Sequence, residues 1–212
     1  MKVLVIGASG RVGGNLVEQL LADNHEVIGT TRQDKILFDA DNYSQLDLDL
    51  TADKDTIQSQ ITDDIEAVYF VAGSGGKSIL EVDLHGAVKT MQAAKDKGIN
   101  RYIMLSTVFS MDTSKWDSPA IAELKEYYIG KHYADNWLVN DSGLDYTIVQ
   151  PGALKERPGT GKISINNGEA GDNAIEDVAA TLAAILTADT ASKKIFQMQN
   201  GDTAINDAIA KL

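Results

Sequence analysis

The stretch IGASGRVGGNLVEQL, residues 6–20, decides the fold, because it sets three evenly spaced glycines between an apolar run and a helix-period segment. Gly7 can turn the chain sharply out of a strand, Gly10 lets the backbone approach a diphosphate, and Gly13 lets the following helix pack closely on the sheet. The first turn of that helix offers unpaired N–H groups and a positive dipole end to phosphates. The stretch therefore predicts the strand–turn–helix unit of a dinucleotide-binding fold.

The rest of the chain alternates short apolar runs with helix-period segments. The runs are continuously apolar, which is typical of parallel strands covered by helices. We expect an α/β protein with a single Rossmann-type, doubly wound parallel sheet, helices on both faces, and one domain spanning residues 1–212. Two helices are predicted over residues 79–98 and 119–141. Residues 151–173 are polar and Gly-rich and predict a loop, either on the substrate side of the sheet or as a plain surface excursion.

Composition restricts the possible partners. A chain of 212 residues with 43% hydrophobic content can bury one full-sized core, and its net charge of −12 would repel the backbone of a nucleic acid. There is no cysteine, and the three histidines are not spaced as metal ligands, so no metal site is expected. No apolar run is long enough for a signal peptide or a membrane span, which predicts a cytoplasmic protein. The pattern predicts no particular oligomeric state.

A second glycine-rich stretch, VAGSGGKS at residues 71–78, resembles an ATP-binding phosphate loop. That loop requires a glycine five residues before the glycine that precedes the lysine, and residue 71 is valine. The stretch also follows the fourth predicted strand. In a doubly wound sheet the turns after the first and fourth strands flank one crevice. We therefore expect residues 73–78 to form the opposite wall of the dinucleotide site.

The end of the second strand bears on which dinucleotide is bound. It reads Thr30, Thr31, Arg32, and an arginine at this place suits the 2′-phosphate of NADP(H). Asp34 lies two residues further on and can take the acidic role that favours NAD(H). The sequence favours NADP(H), with NAD(H) as the alternative.

Candidate catalytic residues follow the fifth strand. Ser106 and Thr107 stand at its carboxyl end, and Tyr127 and Lys131 are spaced i, i+4 on a predicted helix, which brings them to one face. The Lys131 ammonium is expected to lower the pKa of Tyr127 and so prepare it as a general acid. A serine or threonine hydroxyl would then hold a substrate oxygen while Tyr127 donates a proton and a nicotinamide delivers hydride.

Taken together, the motifs GASGRVG, TTR, LDLDLT, FVAGSGG, YYIGK and DYTIVQPGAL resemble the atypical short-chain dehydrogenase/reductases of the compact NAD(P)H-binding, NmrA-like kind. The resemblance extends to about residue 155. In one departure, Gln150 stands where family members often have arginine. The resemblance implies an active-site hydroxyl at Thr107 and cofactor contacts from Gly7, Ser9, Gly10, Arg11, Val12, Gly13, Arg32, Asp49, Leu50, Ala72, Gly73, Ser74, Tyr127, Lys131, Pro151, Gly152, Ala153 and Leu154.

The predicted function is that of an NAD(P)-dependent oxidoreductase acting on an unidentified small carbonyl or hydroxyl compound. The resembling family also includes proteins that bind the dinucleotide and regulate a protein partner without turnover. A non-catalytic NAD(P)H-sensing regulator is therefore the alternative.

Overall fold

The computed structural model of the protein describes residues 1–33 and 35–212. Asp34, the alternative acid for the ribose, lies outside the described residues. Strand β1 (Lys2–Ile6) lies inside the central sheet, and its residues from Val3 to Ile6 are fully buried, as expected for an apolar run covered on both faces. The further strands are, in chain order, β2 (Glu26–Thr30), β3 (Tyr43–Leu46), β4 (Ala67–Phe70), β5 (Arg101–Leu105), β6 (Asp145–Pro151), β7 (Ala153–Lys155), β8 (Lys162–Ile165), β9 (Asp172–Ala174), β10 (Lys194–Asn200) and β11 (Thr203–Ala204).

Within the described residues, nine strands form one sheet in the order β11-β8-β10-β6-β5-β4-β1-β2-β3. In this order, the strands β10, β6, β5, β4, β1, β2 and β3 pair parallel with their neighbours. At the other edge, β8 pairs antiparallel with both β10 and β11. The strand order reverses between β1 and β4, which opens a crevice beyond their carboxyl ends. The predicted Rossmann-type fold is confirmed, with an antiparallel edge added to its parallel sheet.

Helices cover both faces, because each carries an apolar stripe that must be buried. The helices are α1 (Arg11–Ala22), α2 (Lys54–Gln60), α3 (Ala87–Asp96), α4 (Pro119–Ala122), α5 (Lys125–Asn140), α6 (Ile175–Ala184) and α7 (Ile205–Ile209). One face of the sheet packs against α1, α6 and α7 through residues such as Leu16, Leu182 and Ile209, and the other face packs against α2, α3 and α5 through residues such as Ile57 and Met91. None of the helices in the described part of the chain is long and apolar enough to cross a bilayer.

Three local predictions need correction. The helix expected over 79–98 begins as a π-helical segment, Ile79–Gly86. The sequence did not predict this segment, because apolar periodicity does not distinguish a π-turn from an α-turn. The helix expected over 119–141 is divided between α4 and α5, where the Leu124 N–H donates to the Ile121 carbonyl across 2.8 Å and closes a tight turn. The expected loop 151–173 contains β7, β8 and the first residues of β9, and these strands, three or four residues long, are too short to show periodicity.

Candidate functional site

The first glycine loop is packed too tightly for side chains at two positions. Gly7 has a left-handed φ of 97°, and a Cβ there would lie 2.7 Å from the backbone of Ala72 in the turn after β4. A Cβ on Gly13 would lie 2.1 Å from the Gly7 carbonyl oxygen. The loop thus holds α1 directly against the carboxyl ends of β1 and β4.

The start of α1 is open toward the crevice. Gly10 is the N-cap residue, and as a glycine it provides no side-chain cap. By helix geometry, the N–H groups of the first turn, at Arg11, Val12 and Gly13, have no acceptor inside the helix. Gly10 is exposed and lines cavities on both sides of the loop. This arrangement suits a diphosphate group, because the N–H groups and the helix dipole both favour an anion.

The first of these cavities, here called the β2-side cavity, has a volume of about 340 Å³ and reaches the end of β2. Arg32 and Lys77 both line it, and neither forms an ion pair with another described residue. In a chain of net charge −12, two cations on one cavity favour an anionic ligand. The predicted cofactor residues that line this cavity are Gly7, Ser9, Gly10, Arg32, Asp49, Leu50, Ala72, Gly73 and Ser74.

Asp49 is held in place within the β2-side cavity. Its Oδ1 accepts hydrogen bonds from the backbone N–H and the hydroxyl of Thr51, both at 2.8 Å. These hydrogen bonds lower the pKa of Asp49, because they stabilise the ionised carboxylate. Asp49 therefore fixes the turn that carries Leu50, which also lines the cavity.

The second glycine stretch forms the opposite wall, as its position after β4 predicts. The Ser74 N–H donates to Oδ2 of the buried Asp83 at 3.0 Å, which anchors the turn to the π-helical segment. The Ser74 hydroxyl oxygen is buried without a hydrogen-bond partner among the described residues. The anchored turn places Ser74 in the wall of the β2-side cavity.

The second cavity, the β5-side cavity, has a volume of about 650 Å³. It shares five lining residues with the β2-side cavity, from Ser9 and Gly10 in the first loop and from Val71, Ala72 and Gly73 after β4, so the two form one crevice. Two of the predicted site residues line neither cavity: Gly13 packs inside the first glycine loop, and Ala153 is exposed elsewhere. The predicted site residues that line only the β5-side cavity are Arg11, Val12, Ser106, Thr107, Tyr127, Lys131, Pro151, Gly152 and Leu154.

Lys131 is buried at the inner wall of the β5-side cavity. Its Nζ donates to the Leu105 carbonyl oxygen at 3.1 Å, which ties α5 to the end of β5. Burial lowers the pKa of Lys131, while the carboxylates of Asp83 and Asp135 oppose that shift. An ammonium has three N–H groups, so Lys131 can also donate to a ligand in the cavity.

The predicted lowering of the pKa of Tyr127 is wrong. Burial raises that pKa, and the nearby carboxylates of Asp83 and Asp135 raise it further. Lys131 does not reverse this effect, since its Nζ lies 5.9 Å from the centroid of the Tyr127 ring. Tyr127 therefore presents a neutral phenol, which can donate a hydrogen bond.

The two candidate hydroxyls differ in their surroundings. Thr107 is half-buried, and its Oγ1 lies 3.5 Å from the hydroxyl oxygen of Tyr128. Ser106 is buried, and its hydroxyl donates to Oδ2 of Asp135 at 2.5 Å. Sequence reasoning missed Asp135, although it stands four residues after Lys131 and so shares its helix face.

Elsewhere in residues 1–33 and 35–212, no group of three His, Asp or Glu side chains is arranged to hold a metal ion. The fold and the crevice across the carboxyl ends of the strands define a Rossmann-type dinucleotide-binding protein.

The chain belongs to the NAD(P)H-binding family, whose model matches residues 7–189. It is similar to an uncharacterized sugar epimerase of Bacillus subtilis, with 37% identity over 221 residues and 100% of both chains covered. It is also similar to a UPF0659 protein of Saccharomyces cerevisiae, with 36% identity over 238 residues, 100% of this chain and 99% of that protein. The crystal structure of an oxidoreductase from Lactococcus lactis has a TM-score of 0.96 and 40% identity, covering 100% of this chain and 96% of that one. The predicted family is thus confirmed.

Proposed function

We propose that the protein is an NADPH-dependent oxidoreductase of the short-chain dehydrogenase/reductase type that interconverts a small carbonyl compound and the corresponding alcohol. The observation that carries this proposal is the continuous crevice, which has Arg32 in one cavity and Tyr127 with Lys131 in the other. A dinucleotide lying across Gly10 would have its adenosine half on the β2 side and its nicotinamide half on the β5 side.

The residues of the crevice fit a dinucleotide phosphate. The start of α1 suits the diphosphate, and Arg32, which forms no ion pair with a described residue, suits a phosphate on the adenosine ribose. Arg32 is the basis for preferring NADPH to NADH, since guanidinium binds phosphate with paired hydrogen bonds that a ribose hydroxyl cannot accept.

The chemistry that the cofactor supplies when bound is the transfer of hydride between its nicotinamide ring and carbon. The protein's part is to bind and polarise the substrate oxygen. Thr107 and Tyr127 line the β5-side cavity, and both can donate a hydroxyl hydrogen to that oxygen. Lys131 supports them with a buried, partly satisfied ammonium, whose free N–H groups can hold ribose hydroxyls or the substrate.

An epimerase is the second candidate, because one relative with 37% identity is named as a sugar epimerase. Epimerisation by transient oxidation would use the same cavity but would regenerate the starting cofactor in every cycle. The two activities therefore differ in whether NADPH is consumed. Neither the site nor the relatives favour a regulator without turnover.

The test of the proposed function is the substitution Tyr127→Phe. We expect the NADPH dissociation constant to stay within about twofold, because Tyr127 donates to the substrate oxygen, and NADPH oxidation with 9,10-phenanthrenequinone as probe to fall by roughly 10²-fold or more. Tyr133→Phe is the matched control, since Tyr133 is an exposed tyrosine on the same helix. Full turnover in the Tyr127 variant, or NADPH binding with no oxidation by wild type, would contradict the proposal.

A further inference from the structure

Four polar side chains form a buried cluster behind the wall of the β5-side cavity. Asp135 and Ser110 are completely buried, and Gln150 and Ser106 are 3% and 4% exposed. Of these four, only Ser106 lines the cavity. Burying a carboxylate costs free energy, so the buried Asp135 indicates a role for this cluster beyond packing.

The directions of the hydrogen bonds differ for the two serines. Gln150 Nε2 donates to the Ser110 hydroxyl oxygen at 2.7 Å, which leaves the single hydrogen of Ser110 for Asp135 Oδ2 at 2.5 Å. Ser106 Oγ lies 2.5 Å from the same Oδ2 and 3.3 Å from Ser110 Oγ, and no amide donates to it among the described contacts. The Ser106 hydroxyl hydrogen, unlike that of Ser110, can therefore point either toward Asp135 or away from it.

The second oxygen of Asp135 strengthens this asymmetry. Asp135 Oδ1 is buried and has no hydrogen-bond partner among the described residues. A proton bound to Oδ1 would have nothing to donate to, whereas a proton bound to Oδ2 can be donated to Ser106. Protonated Asp135 can thus donate its hydrogen from Oδ2 to the Ser106 hydroxyl oxygen.

The charged and titratable neighbours of Asp135 come from the helical side. Lys131 and His132 on α5 favour its ionised form, as do the hydrogen bonds from Ser106 and Ser110, but burial outweighs them and raises the pKa of Asp135 to about 6. Asp83, on the π-helical segment, acts on Lys131 and Tyr127. The sheet contributes the neutral Gln150, which reaches the cluster through Ser110.

The turn that brings the serines together is strained. Phe109 has a left-handed φ of 60°, a conformation that is unfavourable for a bulky residue. The Trp116 indole N–H donates to the Phe109 carbonyl oxygen at 2.9 Å and holds this conformation. As a result, Ser106 and Ser110 reach one carboxylate oxygen from both ends of the turn. Strain at this place favours a functional role for the cluster.

We propose that Asp135 is a positioning residue that sets the direction of the Ser106 hydroxyl hydrogen. Ionised Asp135 draws that hydrogen inward, so that Ser106 offers the β5-side cavity only lone pairs. Protonated Asp135 donates to Ser106, and the Ser106 hydrogen turns toward the cavity. Where the proposed function holds, the donor form assists a carbonyl oxygen and the acceptor form assists an alcohol, so the two directions of the reaction have opposite pH preferences.

The first test needs neither cofactor nor substrate. Carboxyl carbons of the full chain are labelled with ¹³C at aspartate, the Asp135 signal is assigned by its loss in D135N, and its shift is followed by NMR from pH 4 to 9. We expect a midpoint near pH 6, raised by about one pH unit in S110A, because one hydrogen bond to the ionised form is lost. A midpoint below pH 4.5 would overturn the proposal, since Asp135 would then stay ionised at every working pH.

The second test measures NADPH oxidation with 9,10-phenanthrenequinone between pH 5 and 8. Wild type should gain rate as the pH falls through about 6, and D135N should stay at the low-pH level, because its amide nitrogen avoids the partnerless Oδ1 position, takes the place of Oδ2 and donates to Ser106 at every pH. Loss of a merely structural contact would slow the reaction at all pH values without flattening the profile, and a D135N profile shaped like that of wild type would overturn the proposal. If wild type does not oxidise NADPH, the proposed function fails, while the NMR titration still decides the role of Asp135.

Discussion

Tyr127 and Lys131 lie one turn apart on α5, yet the Lys131 Nζ donates to the Leu105 carbonyl and stays 5.9 Å from the centre of the Tyr127 ring. The lysine is thus directed to the end of β5 and the cavity, while burial governs the phenol. A site built in this way uses Tyr127 as a neutral donor.

The neutral state of Tyr127 can be measured by ultraviolet titration of tyrosinate. Because burial raises the pKa of Tyr127, the absorbance difference between wild type and Tyr127→Phe should show no tyrosinate below pH 10. A tyrosinate signal between pH 7 and 9 that disappears in the variant would show that Lys131 dominates instead.

Arg32→Gln should weaken NADPH binding by roughly 10- to 100-fold and leave NADH within about twofold. The reason is the loss of charge-assisted hydrogen bonds to one phosphate, worth about 1.5–3 kcal/mol. Isothermal titration calorimetry measures both dissociation constants. Lys97→Gln is the control, because it removes a positive charge that lies outside both cavities and pairs with Asp63. Equal losses for NADPH and NADH in the Arg32 variant would place the guanidinium elsewhere on the ligand.

Neighbouring glycines of α1 should respond in opposite directions to alanine. Gly13→Ala brings a Cβ to 2.1 Å from the Gly7 carbonyl oxygen, so we expect a loss of about 2 kcal/mol or more in the free energy of unfolding. Gly14→Ala meets only the Ala8 carbonyl oxygen at 3.8 Å and should raise that free energy by about 0.5–1 kcal/mol, because alanine suits a helix interior better. Urea unfolding of both variants measures the difference, and similar effects at the two positions would contradict the packing of the loop.

Asp135 should make stability depend on pH. Its pKa rises from the ordinary 3.8 to about 6 in the folded chain, so the folded state holds its proton to higher pH than the unfolded state does. The free energy of unfolding therefore falls as the pH rises from about 4 to 6. Above that range the total loss is about 3 kcal/mol.

Asp135→Asn removes this ionisation. The unfolding free energy of the variant minus that of wild type should increase by about 2.4 kcal/mol between pH 4 and 7.5, as measured by urea unfolding. Asp141→Asn, an exposed position just after the same helix, controls for the loss of a surface charge. A difference that does not change with pH would mean that Asp135 ionises as easily in the folded chain as in the unfolded one.

The sequence predicted those parts of the fold in which one local pattern determines the structure. Continuous apolar runs marked the buried parallel strands, and the spacing of Gly7, Gly10 and Gly13 marked the turn into α1. The edge formed by β8 and β11 escaped prediction, because these short strands depend on pairing with residues distant in sequence. The division between α4 and α5 escaped it because the apolar pattern continues through Leu124.

The sequence indicated which residues line the candidate site better than it indicated the pKa shifts of those residues. Helix spacing brings Tyr127 and Lys131 to one face, but the direction of the pKa shift of Tyr127 depends on burial, which spacing does not give. The contact between Ser110 and Asp135 follows a turn with the left-handed backbone of Phe109, which no sequence pattern indicated. The cytoplasmic location and the exclusion of nucleic acid as a partner stay predictions.

The most direct test of the account is calorimetric titration of the wild-type protein with NADPH and, separately, with NADH. A single site per chain is expected, with NADPH bound at least tenfold more tightly, because the start of α1 would hold the diphosphate and Arg32 the additional phosphate. Failure of both nucleotides to bind would contradict the dinucleotide crevice itself, and tighter binding of NADH would contradict the role of Arg32.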